Sequence, residues 1–363
     1  MRQLHLQRIA VLLFLLTSTF HSWSQGVITT PRTPSPAATV SQTIGISAVT
    51  VSYSRPSVKN REIWGALVPY GWNIQQFGAG NEAPWRAGAN ENTVIKFSHN
   101  AKVEGHDIPA GSYGLFFVIN KDNTGEVILS KDYRSWGSFF YDSKNDEMRA
   151  KINLRDIAPV ELLTYDFDNI TKTSAELVLN WEKKQFPVKI EFAVDDIVML
   201  NAEEELKGPV GFGWQGYSSA ANYAVQNKVN YDKALTWINQ AIAINKNFNS
   251  LNTKSRLLAE MGKTKEADST MNDALAVATE NELNQYGYTL LNQKDYTKAI
   301  EILTLNTKRY PKSANTWDSL GEAYAIKGDK QNAITSFKKS LELNPPVGVK
   351  ANSEKYLKQL GAL

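Results

Sequence analysis

Cysteine is absent from all 363 residues. That absence excludes disulfides, thiolate metal sites, a cysteine nucleophile and a lipid-bearing cysteine. Histidine is scarce: of four, His5 and His21 fall within the first 24 residues, leaving His99 and His106. A three-histidine zinc site is thereby excluded from the rest of the chain, and the H-E-x-x-H motif does not occur. No G-x-S-x-G elbow occurs, and "FGAGNEA" (77–83) has neither the spacing nor the lysine of a phosphate loop. No cofactor is expected. Charge of one sign is missing too, since 40 Lys and Arg oppose 37 Asp and Glu. Such a balance concentrates neither nucleic acid nor an anionic membrane. Long apolar runs are absent: "IAVLLFLL" (9–16) is shorter than the roughly 20 residues a membrane span requires. With Arg2 and Arg8 around its start and the small residues of "SWS" (22–24) before Gln25, it reads as a signal peptide over 1–24. The expected location is outside the cytoplasm, periplasmic or extracellular.

What is present divides by periodicity. A Pro/Ser/Thr-rich tether over 25–36 has no means of forming a core. From 37 to 194 the apolar residues recur with period two. In "VTVSYS" (49–54), Val49, Val51 and Tyr53 share one face; in "AELVLNW" (175–181), Ala175, Leu177, Leu179 and Trp181 do so. Turn signals such as "NKDNTG" (120–125) separate the runs. Eight to ten short strands without a helical pattern predict an antiparallel β-sandwich.

Near 195 the period becomes helical, and 195–213 reads as a connecting helix and hinge. Beyond it the chain repeats. "NTWDSLGEAYAIKGDKQNAITSFKKSLELNP" (315–345) sets Trp317, Leu320, Gly321, Tyr324, Ala333, Phe337 and Pro345 at tetratricopeptide spacing, and Leu283, Gly287, Leu290, Ala299 and Leu303 keep register one unit earlier. Ala234 and Ala267 mark two weaker units, giving four repeats over 214–347 and a capping helix over 348–363. The predicted architecture is thus multidomain, an all-β sandwich followed by an all-α solenoid. Its concave face is expected to carry Asn249, Asn252 and Arg256, then Asn281, Asn284, Tyr288 and Asn292, then Asn315, Asp318 and Glu322. Amides there can bond an extended peptide backbone in both directions, which predicts a protein or peptide partner.

The β-half carries a resemblance. "VTVSYSRPSVKNREIWGALVPYG" (49–71), "WRAGANENT" (85–93), "IPAGSYGL" (108–115) and "WGSFFYD" (136–142) together resemble domain-of-unknown-function family 2911. The resemblance implies an exported β-domain of Gram-negative bacteria, often followed by tetratricopeptide repeats, and no established activity. The link 71–85 is longer than the resemblance leads one to expect.

The corner "EAPWRAGANENT" (82–93) admits two readings. Structurally, Gly88 permits a tight or positive-φ turn, Asn90 supports it, Trp85 covers the sandwich end, and Arg86 pairs with Glu91 or loop carbonyls. Functionally, Trp72, Trp85 and Trp136 are aromatic platforms beside Arg86, Asn90 and Glu91, as a sugar or carboxylate site requires. A glycan-binding domain, or a glycan-cleaving one using two of Glu82, Glu91, Asp107 and Asp142, is the alternative to a non-catalytic scaffold. The structural reading leads.

Overall fold

The computed structural model describes residues 35–363, so the expected signal peptide (1–24) and nearly all of the expected tether (25–36) lie outside the described residues. The chain divides between Phe192 and Ala193 into two compact units.

The first unit is a pair of facing antiparallel sheets. Six strands form one sheet in the order β1 (Ala37–Ile44), β2 (Ser47–Ser54), β5 (Val94–Phe97), β8 (Gly111–Ile119), β9 (Thr124–Ser130) and β10 (Asp146–Asn153). The other sheet runs β11 (Arg155–Asp168), β12 (Ser174–Glu191), β6 (Ala101–Val103) and β7 (His106–Ile108). A short ladder of β3 (Asn73–Ile74) and β4 (Glu82–Ala83) stands apart. Alternation does what the sequence leads one to expect on β2, where Val49, Val51 and Tyr53 are buried and Ser52 is exposed. The faces meet through Tyr53 against Tyr165 at 4.7 Å and Phe117 against Phe186 at 5.1 Å between ring centroids.

Two features differ from the expectation of short alternating strands. β11 and β12 are 14 and 18 residues long. Their register slips between Asp156 and Val160, a stretch holding Pro159. Proline has no N–H to give the ladder, so the pair continues across a bulge at this point. The central strand β8 is buried on both faces from Tyr113 to Ile119. The long link 71–85 is the cause. It folds over the outer face of the six-stranded sheet, where Trp72, Ala83 and Tyr141 pack with Phe116, Val118 and Ile128.

The second unit opens with α1 (Val194–Glu205) and a single 3₁₀ turn at Pro209–Phe212. Four helix pairs follow: α2 (Trp214–Asn227) with α3 (Tyr231–Ile244), α4 (Phe248–Glu260) with α5 (Thr264–Val277), α6 (Glu280–Asn292) with α7 (Tyr296–Arg309), and α8 (Ala314–Lys327) with α9 (Lys330–Glu342). Small residues stand where partners cross. A Cβ on Gly287 would lie 2.6 Å from the Leu303 side chain, and one on Gly321 would lie 2.8 Å from the Phe337 ring. Ala234, Ala299 and Ala333 are fully buried at the equivalent second-helix position. The last helix, α10 (Val347–Gln359), covers α9 by stacking Tyr356 on Phe337 at 5.0 Å and burying Leu357. No helix among the described residues is long and apolar enough to cross a membrane.

Candidate functional site

The corner that follows β4 is built from backbone outward. Trp85 exchanges N–H···O bonds with Phe117 at 2.8 and 2.9 Å, extending along β8 the edge that β5 vacates. This seats its indole against Trp181, stacked at 5.8 Å, and edge-on to Trp64 at 5.7 Å. The chain then turns through two left-handed residues, Ala87 at φ 53° and Asn90 at φ 62°. Gly88 is not one of them, contrary to the sequence expectation. Its lack of a side chain serves close approach instead, because a Cβ there would sit 2.7 Å from Thr93 Oγ1. Thr93 Oγ1 and the Tyr165 hydroxyl both donate to the Ala87 carbonyl, at 3.0 and 2.9 Å, and fasten the turn to both sheets.

Arg86 is half-buried in this turn. Its Nη1 donates to the Asn90 carbonyl at 2.6 Å, and its guanidinium carbon lies 5.0 Å from the centre of the Phe139 ring. Gly137, at φ 60°, leaves the space the guanidinium occupies, since a Cβ there would approach Nη1 to 2.4 Å. Ser138 Oγ donates to the Pro84 carbonyl at 2.6 Å and locks the two loops together. Burial lowers the arginine's pKa from its ordinary value. The guanidinium's bond thus goes to the loop carbonyl rather than to the Glu91 carboxylate.

Trp85, Arg86 and Asn90 converge on a cleft of about 420 Å³ at the sandwich end, together with Lys59, Arg61, Leu67, Val68 and Trp181. The rest of the proposed corner set is elsewhere. Glu91 does not line the cleft. Trp72 belongs to the outer-face cluster, with the Arg149 guanidinium 4.7 Å from its ring centre, and so is no platform for this cleft. Trp136 is half-exposed and outside the lining, while its neighbours Gly137 and Phe139 do the positioning. Arg61 was expected, with Arg55, only to make loop-to-strand bonds, and Lys59 was not among the corner candidates. The signal was the basic turn "SVKNR" (57–61), whose Arg61 Nε holds the Val58 carbonyl at 3.0 Å. Among the described residues, no group of three or more His, Cys, Asp or Glu side chains is placed to hold a metal ion.

In the helical unit, a second groove of about 460 Å³ lies between α4 and α6. Asn249, Asn252 and Arg256 line it from α4, as the repeat register leads one to expect. From α6 and its C-cap the lining residues are Glu282, Gln285, Tyr286, Thr289, Leu290 and Gln293, not Asn281, Asn284, Tyr288 and Asn292. One residue is about 100° around a helix, so the exposed set is turned toward α4 relative to the expected one.

Asp318, Tyr288, Glu322 and Arg256 hold neighbouring repeats together. Asp318 is 5% exposed and accepts from Ser353 Oγ at 2.5 Å and Asn352 Nδ2 at 2.8 Å, tying α8 to α10. Tyr288 donates to Glu322 Oε2 at 2.9 Å across α6 and α8, and Arg256 Nη1 reaches Asn222 Oδ1 at 3.3 Å across α4 and α2. Equivalent positions on successive first helices stack, so polar residues there meet each other before they meet a guest. Asn281 and Asn292 are exposed and Asn315 is half-buried, outside the groove lining. Buried Oδ1 atoms of Asn252 and Asn284 have no hydrogen-bond donor.

An antiparallel β-sandwich followed by stacked helix pairs defines a two-domain protein with a helical-repeat array. Residues 35–190 match the family model for Protein of unknown function (DUF2911), and residues 314–346 match a tetratricopeptide repeat, in the order the sequence led one to expect. Among solved structures, the chain is similar to YrrB, a TPR protein with an unusual peptide-binding site: 18% identity, 44% of this chain, 84% of that chain, TM-score 0.27. It is also similar to PilF of Pseudomonas aeruginosa, with 22% identity over 42% of this chain and 71% of that one, TM-score 0.27. A curated relative, Superkiller complex protein 3 of Mus musculus, is 40% identical over 55 residues, which span 15% of this chain and 4% of that protein. Likeness of this degree transfers no activity. The repeats themselves support a role as a protein-interaction scaffold.

Proposed function

We propose that this protein is an exported, non-catalytic scaffold whose repeats hold an extended peptide segment of a partner between α4 and α6. The observation that carries the reading is the composition of the groove. Asn249, Gln285 and Gln293 offer amide donors and acceptors along its walls, while Phe248 and Tyr286, 5.8 Å apart, supply an apolar floor. Such a surface bonds peptide backbone of either polarity and takes an apolar side chain between its bonds. Arg256 at one wall favours a segment with an acidic residue. Export is part of the proposal and rests on the leader-like composition of residues 1–24.

A displayed peptide library selected on the full chain tests this directly. The expected outcome is a set of peptides sharing one apolar residue, whose capture is lost in Tyr286→Ala and weakened in Gln285→Ala. Enrichment unaffected by Tyr286→Ala, Gln285→Ala and Arg256→Ala would place the binding surface elsewhere.

A further inference from the structure

We infer that the cleft at the end of the β-sandwich is a binding site for an organic carboxylate with a flat or apolar body. Three observations meet there. First, the lining contains three cations, Lys59, Arg61 and Arg86, and no aspartate or glutamate. None of the three takes part in the ion pairs formed among the described residues. Second, Arg86 is held by the Asn90 carbonyl, Gly137 and Phe139, and a guanidinium carries more donors than that single bond uses. A planar fork fixed in one orientation suits the two oxygens of a carboxylate. Third, the lining also holds the aromatic and aliphatic side chains of Trp85, Leu67 and Val68, an apolar surface for the body of such a ligand. The volume of about 420 Å³ lies in the usual range for small-molecule sites.

Neutral sugars fit this lining less well. Hydroxyl groups need acceptors, and the cleft offers only small amide, hydroxyl and carbonyl acceptors where it offers three cations. Inorganic phosphate would satisfy the cations and leave the indole and aliphatic wall unused.

The full-length protein can be titrated with indole-3-acetate, 4-phenylbutyrate and galacturonate. Their neutral counterparts, indole-3-acetamide, 4-phenylbutyramide and galactose, and inorganic phosphate serve as comparison arms. Tryptophan fluorescence and melting temperature are the readouts, because two indoles line the cleft. At least one carboxylate should bind saturably, with its neutral counterpart weaker by about tenfold, the loss of one charge-assisted contact. Lys59→Gln, on an exposed turn, should weaken the carboxylate severalfold, and Arg86→Gln should do so more strongly. The inference is overturned if no carboxylate binds, if acid and neutral counterpart bind alike, or if phosphate matches the best carboxylate. It is equally overturned if Lys59→Gln and Arg86→Gln both bind as the native chain does.

Discussion

Arg86 shows how one side chain joins stability to site geometry. Its guanidinium bonds the Asn90 carbonyl, faces Phe139 and fills the space above Gly137. Truncation strands a carbonyl and opens a void, so Arg86→Ala should cost on the order of 1–3 kcal/mol and lower the melting temperature. A variant that melts at or above the native temperature would remove any structural duty from this arginine. Gly137→Ala attacks the same arrangement from the other side. The new Cβ would meet Nη1 at 2.4 Å and the backbone there has φ 60°, so steric and conformational costs add. A loss of about 1–3 kcal/mol is expected in denaturant melts. In the motif "WGSFFYD", the glycine, serine and first phenylalanine position Arg86 and the Pro84 loop.

Among the elements, helix pairs depend on the absence of side chains at their crossings. Gly321→Ala gains about 1 kcal/mol of helix propensity. Against that stands a Cβ 2.8 Å from Phe337, whose ring is fully buried and stacked on Tyr356, so it cannot retreat. Overpacking costs about 1–3 kcal/mol, and a net destabilisation is expected in thermal melts of the full chain. The α8–α10 contact brings a pH dependence. Burial raises the Asp318 pKa, the bonds from Ser353 and Asn352 oppose it, and Glu322 adds a like charge that raises it further. A carboxyl with a raised folded pKa favours the folded state while protonated. Its contribution is therefore full below the unfolded value of about 3.9 and is lost as pH rises through the raised folded value. Asp318→Asn should flatten the melting temperature of the helical unit over that window. A native and a variant curve of equal slope would show that Asp318 titrates as an ordinary aspartate.

For the whole molecule, two units with separate cores carry two separate grooves, one cationic and aromatic, one rich in amides. A peptide segment on the repeats and a small carboxylate on the sandwich can be tested independently, since Lys59→Gln and Tyr286→Ala lie in different units. Export predicts that the chain expressed in a Gram-negative host reaches the periplasm or medium beginning at Gln25. Mass spectrometry of the fractionated protein checks this, and an intact Met1 start in the cytoplasm would defeat it.

Period and spacing alone determined the two halves, the antiparallel β-class and the phase of the repeats, because each is a local pattern written every two or every thirty-four residues. Trp85, Arg86 and Asn90 were legible as a group, since sequence neighbours on one turn stay neighbours in space. Lys59 and Trp181 were not legible as their companions. They arrive from another loop and another sheet, and only the facing of the two sheets brings them to one cleft. The role of the 71–85 link likewise needed the fold, because only there does Trp72 meet Phe116 and Ile128. In the repeats, spacing found the column of polar residues. The angle at which successive helices stack decided that Tyr288, Asp318 and Glu322 bond their neighbours while Gln285, Tyr286 and Gln293 face the groove.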